Sequence, residues 1–204
     1  TLADYTVRAL SLPPQFGTIA KAYVTREMVS NSNKSLLEQN PLALSLYVLA
    51  YDNTYKLINA TSSLKSNLKK YLSQYMIITD AIDIKDAFVV NIGVQFEVLT
   101  LPNYGARDVL LNCTNALKDY FDIRKWNINQ PINLSSVYTL LDQIKGVQTV
   151  KNVRITNKSG GNYSRFAYDT AGATKDNIVY PSYDPCIFEV KFPDTDIEGR
   201  VTSL

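Results

Sequence analysis

The fold is decided by residues 105–155, which read GARDVLLNCTNALKDYFDIRKWNINQPINLSSVYTLLDQIKGVQTVKNVRI. In the first part, apolar residues recur at the spacing of one continuous helical face. They are Val109, Leu110, Cys113, Ala116, Leu117, Tyr120 and Phe121. A second helix is expected after Asn133 or Ser135, either of which can act as its N-cap, and Gly146 is expected at its C′ position. A strand at residues 147–155 follows, so this stretch carries packing chemistry and almost no reaction chemistry.

Alternation of apolar and polar residues predicts the main strands. At residues 88–98 one face is apolar, from Phe88 to Val98, and the other is expected to be largely wet, since it carries Val89, Asn91, Gly93, Gln95 and Glu97. Earlier in the chain, the pattern predicts a helix at residues 2–10, a strand after Gly17, a strand at 42–52 covered on both faces, and a helix at 57–75. This order predicts an α+β fold, with a mixed β-sheet and helices packed on one face in a split βαβ-like core.

Composition divides the chain into three expected sections. Residues 1–40 hold a helix, a strand and a polar connector, and residues 41–156 form the α+β core domain. Near Thr156 the sequence becomes rich in Gly, Ser, Asn, Tyr and Asp. Residues 157–185, here called the excursion, are expected to leave the core, and a terminal strand at 186–192 returns to it within the last section, 157–204.

Length and charge exclude several classes of function. A chain of 204 residues with 46% hydrophobic content can bury a core and needs neither metal nor disulfides to fold, and no cofactor is expected. A net charge of +2 gives nucleic acid little to attract, and no apolar run reaches the length of a membrane span. Two cysteines do not form a disulfide framework and favour a reducing compartment. The start at Thr1, without Met, suggests a fragment of a longer protein.

Reaction chemistry is largely absent from the sequence. There is no histidine, which excludes Ser-His and Cys-His catalysis and removes the commonest metal ligand. No glycine-rich phosphate loop occurs. Asp80, Asp83 and Asp86 could gather oxygens for a divalent cation, but a solvated turn between a helix and a strand is the preferred interpretation. Asp194, Asp196 and Glu198 could suggest glycosidase chemistry, but a surface tail is the preferred interpretation. No catalytic, cofactor-binding or metal-binding residue is therefore predicted.

Aromatic composition points to contacts between proteins. The chain has 14 tyrosines against seven Phe and one Trp, and Tyr is enriched both at interfaces and on sheet faces. Residues 30–40 and the excursion are too long for simple turns, which makes them candidate contact regions. The candidate contact residues are Tyr163, Phe166, Tyr168, Tyr180 and Tyr183; the alternative is that they cover the core locally.

Two other classes of function remain open at the level of sequence. A nucleic-acid- or carbohydrate-binding module would need aromatic rings on an exposed platform, and residues 151–166 do mix basic residues with Tyr163 and Phe166. A histidine-free hydrolase would need the carboxylates of Asp80, Asp83 and Asp86 to converge in a pocket.

Several segments resemble proteins of contractile phage tails. The opening, with Asp4, Tyr5 and GTIAKA at residues 17–22, resembles the entry to the core of the baseplate J-like family. Further segments, most specifically KDYFDIRKWNINQPI at 118–132 and the helix-Gly-Val turn at 140–150, are similar to the carboxy-terminal part of the baseplate wedge subunits called gene product six in T-even-type phages. The resemblance covers nearly the whole chain.

The resemblance implies a structural role without catalytic residues. Such subunits pair with copies of themselves and with neighbouring wedge proteins, and they close a ring that rearranges when the sheath contracts. The expected partners are therefore the protein itself, as a homodimer or ring, and other wedge subunits. The expected location is the virion baseplate after assembly in the host cytoplasm, without nucleic-acid, membrane or small-molecule ligands.

Overall fold

The computed structural model describes residues 2–26, 43–75 and 81–202. The chain divides into two compact units, Thr1–Ala87 and Phe88–Leu204. Each unit has its own mixed sheet and helices, which confirms the predicted α+β class. The strands of the chain therefore belong to separate sheets. This division lies at a different point from the boundaries expected after residues 40 and 156. The candidate contact region at residues 30–40 lies outside the described residues.

In its described residues, the first unit contains two α-helices and four strands. In chain order they are α1 (Leu2–Leu10), β1 (Lys21–Arg26), β2 (Ala43–Tyr51), β3 (Leu57–Ile58), α2 (Ser62–Ser73) and β4 (Ala81–Asp86). The central strand is β2, which pairs antiparallel with β1 and β3 and parallel with β4. The helices contribute Ala9, Leu68 and Leu72 to a core that also contains Leu46 and Val48 of β2. On the other face of β2, Ser45 and Leu49 are also buried, as expected for a strand covered on both sides.

The second helix is shorter than its sequence periodicity suggested. Leu57 and Ile58 pair with the end of β2 as β3, after a tight turn in which the Asp52 carboxylate accepts the backbone N–H groups of Thr54 and Lys56. α2 then begins at Ser62, because the Thr61 hydroxyl accepts the N–H of Leu64 as an N-cap. The prediction of a helix from residue 57 is therefore wrong at its start.

The second unit is built around one long strand. Its elements are β5 (Phe88–Thr100), α3 (Ala106–Tyr120), β6 (Ile132–Asn133), α4 (Leu134–Asp142), β7 (Val147–Asn157), β8 (Thr174–Lys175), β9 (Ile178–Val179), β10 (Cys186–Glu189), α5 (Pro193–Asp196) and β11 (Ile197–Thr202). β7 runs antiparallel along one edge of β5, whereas β10 and β11 pair in parallel with successive parts of β5. The strands β6, β9 and β8 form a separate three-stranded sheet.

The two predicted amphipathic helices form as the sequence indicated. α3 packs against β11 and buries Val109, Cys113 and Leu117, while α4 packs against β7 and buries Val137 and Leu141. Asn133 is the N-cap of α4, since its side-chain oxygen accepts the N–H of Ser135. The apolar face of β5 is buried from Val90 to Val98. Helices and strand together enclose the core of this unit.

The opposite face of β5 is exposed to solvent only in the second half of the strand. Gln95 is exposed, as predicted, but Asn91 and Gly93 are buried. The prediction of a wet face is therefore wrong for the first half of the strand. The reason is tertiary, because the excursion folds back over this part of the sheet.

Candidate protein-contact surface

The excursion is fastened to β5 by a buried amide. Asn91 is 1% exposed; its Oδ1 accepts the N–H of Ser164 at 2.7 Å, and its Nδ2 donates to the buried Glu189 carboxylate at 2.8 Å. The backbone oxygen of Asn91 also accepts the side-chain N–H of Asn157 and the backbone N–H of Lys158. A single side chain thus ties the central strand, β10 and the excursion together.

Tyr163 is held by a buried carboxylate. Its hydroxyl donates to Oδ1 of Asp196 at 2.6 Å, and its ring meets Phe192 edge to face, with 5.4 Å between the centroids. The other oxygen of Asp196 accepts the N–H of Phe192 at 2.9 Å. The hydrogen bond from Tyr163 to Asp196 raises the pKa of the Tyr163 hydroxyl, because loss of its proton would place a phenolate beside the Asp196 carboxylate.

Phe166 and Tyr168 also pack back onto their own unit. The Phe166 ring stacks on Phe88 with 4.5 Å between the centroids. Tyr168 lies against Phe188, its N–H donates to the Asn157 side chain, and its hydroxyl donates to the backbone oxygen of Tyr180 at 2.6 Å. Burial raises the pKa of the Tyr168 hydroxyl. Both rings therefore contribute to local packing, the alternative that the sequence had left open.

Two of the five candidate residues remain free to contact another molecule. Tyr180 is 45% exposed and Tyr183 is fully exposed. Tyr180 follows the hairpin β8–β9, whose two-residue turn has positive φ at Asp176 and Asn177, the geometry of a tight hairpin turn. This hairpin, in which β9 also pairs with β6, presents Tyr180, and Tyr183 lies three residues beyond it.

The carboxylates considered for metal binding do not converge. Asp83 and Asp86 are three residues apart on β4, so their side chains point to opposite faces of the strand. The Asp86 carboxylate is paired with Lys65 at 2.6 Å, and Asp80 lies outside the described residues. Within residues 2–26, 43–75 and 81–202, no group of three or more His, Cys, Asp or Glu side chains could hold a metal ion. The interpretation of this segment as a solvated turn is wrong, because it forms β4.

The carboxylates near the end of the chain also differ from expectation. Asp194 is exposed and pairs with Lys118 of α3, whereas Asp196 is buried and Glu198 lies on β11. The surface-tail interpretation is therefore wrong for these residues, as is a single terminal strand at 186–192. The sequence did contain a signal for β11, since Ile197, Gly199 and Val201 alternate with Glu198 and Arg200.

The basic residues near the excursion do not surround a stacking platform. Lys151 and Arg154 lie exposed on β7, but the rings of Tyr163 and Phe166 that could stack on bases are packed against Phe192 and Phe88. In the described part of the chain, no helix is long and apolar enough to cross a membrane.

The open half of the β7–β5–β11 face forms a polar groove that the sequence did not reveal. Its volume is about 230 Å³. It is lined by Gln95, Phe96, Glu97, Asn152, Arg154, Glu198 and Arg200. Gln95 donates to the Glu198 carboxylate at 3.2 Å, and Lys158 lies 4.0 Å from the same carboxylate. The residues come from three strands that are distant in sequence, so only the register of the sheet brings them together.

Comparison with known proteins shows a similarity of fold to a baseplate chain. No family model matches the chain, and no curated protein matches it. Among solved structures, the whole chain matches 37% of a chain in the cryo-EM structure of the anti-feeding prophage baseplate, with a TM-score of 0.51 and 14% sequence identity. The protein thus spans well under two thirds of that neighbour's length. At this identity the match establishes a shared fold.

Proposed function

We propose that this protein is a structural component of the baseplate of a contractile phage tail and acts through protein–protein contacts. The observation that carries the proposal is the fold, which over the whole chain matches part of a chain from a prophage baseplate. Because one fold can serve many functions, the assignment also uses the chemistry of the chain and its sequence resemblance. The chemistry of the chain and its sequence resemblance support the same conclusion.

The sequence resemblance supports a more specific assignment. Residues 118–132 and 140–150 are similar to the carboxy-terminal part of gene product six wedge subunits, and residues 4–22 to the baseplate J-like family. On this basis the protein assembles with copies of itself and with other wedge subunits, first in the bacterial cytoplasm and then as part of the virion. Its ring rearranges when the sheath contracts.

The chemistry of the described residues favours contacts over catalysis. The chain has no histidine. Two of its buried acids are used in structural hydrogen bonds, Glu189 with Asn91 and Asp196 with Tyr163. The thiol of Cys113 is buried, and burial raises its pKa to about 11, so it is protonated and unreactive at neutral pH. These groups stabilise the second unit.

The excursion supplies a candidate contact surface. Tyr163, Phe166 and Tyr168 hold it against the sheet, which leaves Tyr180 and Tyr183 exposed on a preorganised support. A rigid support lowers the entropic cost of binding, and tyrosine is frequent among residues that dominate binding energy. We assign Tyr180 and Tyr183 to contacts with a neighbouring subunit.

Immunogold electron microscopy tests the location of the protein. An antibody raised against this chain is applied to particles from the source of the protein, and the same antibody pre-absorbed with the pure chain serves as control. The proposal expects gold at the baseplate end of tails, and label only elsewhere or only on free protein would refute it.

A pair of variants tests the contact residues. Tyr180→Ser with Tyr183→Ser should leave the thermal stability unchanged and reduce incorporation into particles. Tyr55→Ser is the matched control, because Tyr55 is 70% exposed but lies on a hairpin of the first unit. Equal incorporation of both variants would show that Tyr180 and Tyr183 are not contacts.

A further inference from the structure

Parts of two strand edges in the second unit, those of β7 and β10, are capped by hydrogen bonds from other residues of the same unit. Along β7, the N–H of Val153 donates to the Tyr138 hydroxyl at 2.9 Å, and the Thr170 hydroxyl donates to the backbone oxygen of Ile155 at 3.0 Å. At β10, Asn129 bonds both backbone groups of Cys186, at 2.7 and 3.1 Å. These bonds occupy backbone groups that a further strand would need at Val153 and Ile155 of β7 and at Cys186 of β10.

The outer edge of β11 has no such cap within residues 2–26, 43–75 and 81–202. β11 pairs with β5 on one side, and among the described residues no backbone or side-chain group bonds to its other edge. At the end of β11, the hydroxyl oxygen of Thr202 is buried and has no hydrogen-bond partner among the described residues. An unpaired strand edge is a row of N–H and C=O groups that favours pairing with another chain.

The side chains of β11 indicate what kind of strand fits. Glu198 and Arg200 lie exposed on the same face, beside the polar groove. In the described part of the chain, Arg200 has no ion pair, although Glu97 lies opposite it in the register of β5 and β11. A strand added beside β11 would place one of its side chains about 5 Å from Arg200. An acidic residue at that position would complement Arg200.

We propose that the outer edge of β11 accepts an extended segment of a neighbouring subunit, with an acidic residue opposite Arg200. This inference rests on the proposed function and names one surface through which it acts. The neighbouring subunit is a different protein, and the segment is not β11 of a second copy of this chain. α3 packs on β11, so pairing two β11 edges would bring two α3 helices to about the 4.8 Å spacing of strands, whereas packed helices need about 8–10 Å.

Hydrogen exchange measured by mass spectrometry tests this edge directly. The free full-length protein is compared with the same protein in native particles. Amides on the outer side of β11 should exchange rapidly in the free protein and at least about tenfold more slowly in particles. The capped N–H of Val153 on β7 is the internal control and should be protected in both samples.

A charge reversal provides a second readout. Arg200→Glu should reduce retention of the protein in particles by about tenfold, since an attractive cross-strand pair becomes repulsive. Lys151→Glu on β7 is the matched control, because it makes the same change of charge at an exposed strand position. This variant should be retained in particles as well as the unchanged protein is.

Each outcome separates this inference from the proposed function. If the antibody labels baseplates while β11 amides exchange equally fast in both samples, the edge inference fails and the function stands. Protection of β11 that rises with the concentration of the pure protein would assign the edge to a second copy and overturn the inference. Protection of β11 in a complex other than a baseplate would overturn the proposed function alone.

Discussion

Removal of the Asn91 side chain tests how the excursion is held. Asn91 sits at the centre of the second unit, where its amide joins β5 to Ser164 and Glu189. In Asn91→Ala the N–H of Ser164 loses its acceptor and the buried carboxylate of Glu189 loses a donor. The backbone of β5 is left intact, so the change acts through these two hydrogen bonds.

The size of the effect follows from the two bonds. A bond between neutral groups contributes about 1 kcal/mol, and one to a charged group contributes about 1.5–3 kcal/mol. The Ser164 amide is half-buried, so water can replace part of the first bond, but Glu189 is only 2% exposed. We therefore expect the free energy of unfolding of the second unit to fall by about 3 kcal/mol.

Urea unfolding followed by tryptophan fluorescence measures this change. The chain has one tryptophan, Trp126, which is 3% exposed and belongs to the second unit. Limited digestion with trypsin provides a local readout, because the exposed Arg165 lies in the excursion and should be cut faster once the Asn91 bonds are lost. Asn152→Ala is the control, since Asn152 is exposed on β7.

The reasoning is refuted by a small or unspecific effect. A loss below about 1 kcal/mol, or a loss equal to that of Asn152→Ala, would show that Asn91 does not hold the excursion in place. Unchanged cleavage at Arg165 together with a large loss of stability would place the effect in the sheet and not in the excursion.

Three further changes have defined outcomes. Gly146→Ala should destabilise the protein by about 2 kcal/mol more than Gly160→Ala in urea unfolding: both glycines have positive φ, but only at Gly146 would a Cβ lie within 3 Å of neighbouring side chains. Asp122→Asn should lower the free energy of unfolding by about 1 kcal/mol at pH 7, after allowance for the exposure of Arg124. Arg124 lowers the pKa of Asp122 from 3.8 to about 2, so the carboxylate stabilises the fold above pH 3.8. The difference in stability between the two proteins, measured by urea unfolding, should therefore disappear as the pH falls towards 2. Cys113 should not react with a thiol reagent at pH 8 until the protein unfolds, since it is fully buried; reaction in the native protein would contradict this burial.

Local patterns predicted the elements that local physics determines. The apolar stripe of α3 and the buried face of β5 follow from spacing alone, because a helix or strand with one apolar face must bury it. The start of α2 could also have been read from Thr61, a good N-cap, but the apolar residues at 57 and 58 continued the helical pattern and hid it.

Pairing between distant strands could not be predicted. Asn91 and Glu189 meet because β10 pairs in parallel with β5, and nothing near either residue specifies that register. The same limit applies to the groove, where Arg154 and Arg200 come from different strands. The distinction between packed and exposed aromatic residues was equally inaccessible, since the excursion has no regular period that would assign a face to each ring.

The exposure of Tyr183 argues for binding on energetic grounds. A ring that is fully exposed gains nothing from the fold, whereas burial of a large aromatic side chain is worth about 1.5–3 kcal/mol. Tyr163 and Tyr168, in the same excursion, are half-buried and their hydroxyls donate hydrogen bonds, so the segment can pack tyrosine where packing is needed. Tyr183 differs because no described residue of its own unit covers it. Its burial energy is therefore available to a partner, which is why the variant at this position is expected to weaken assembly and leave stability unchanged.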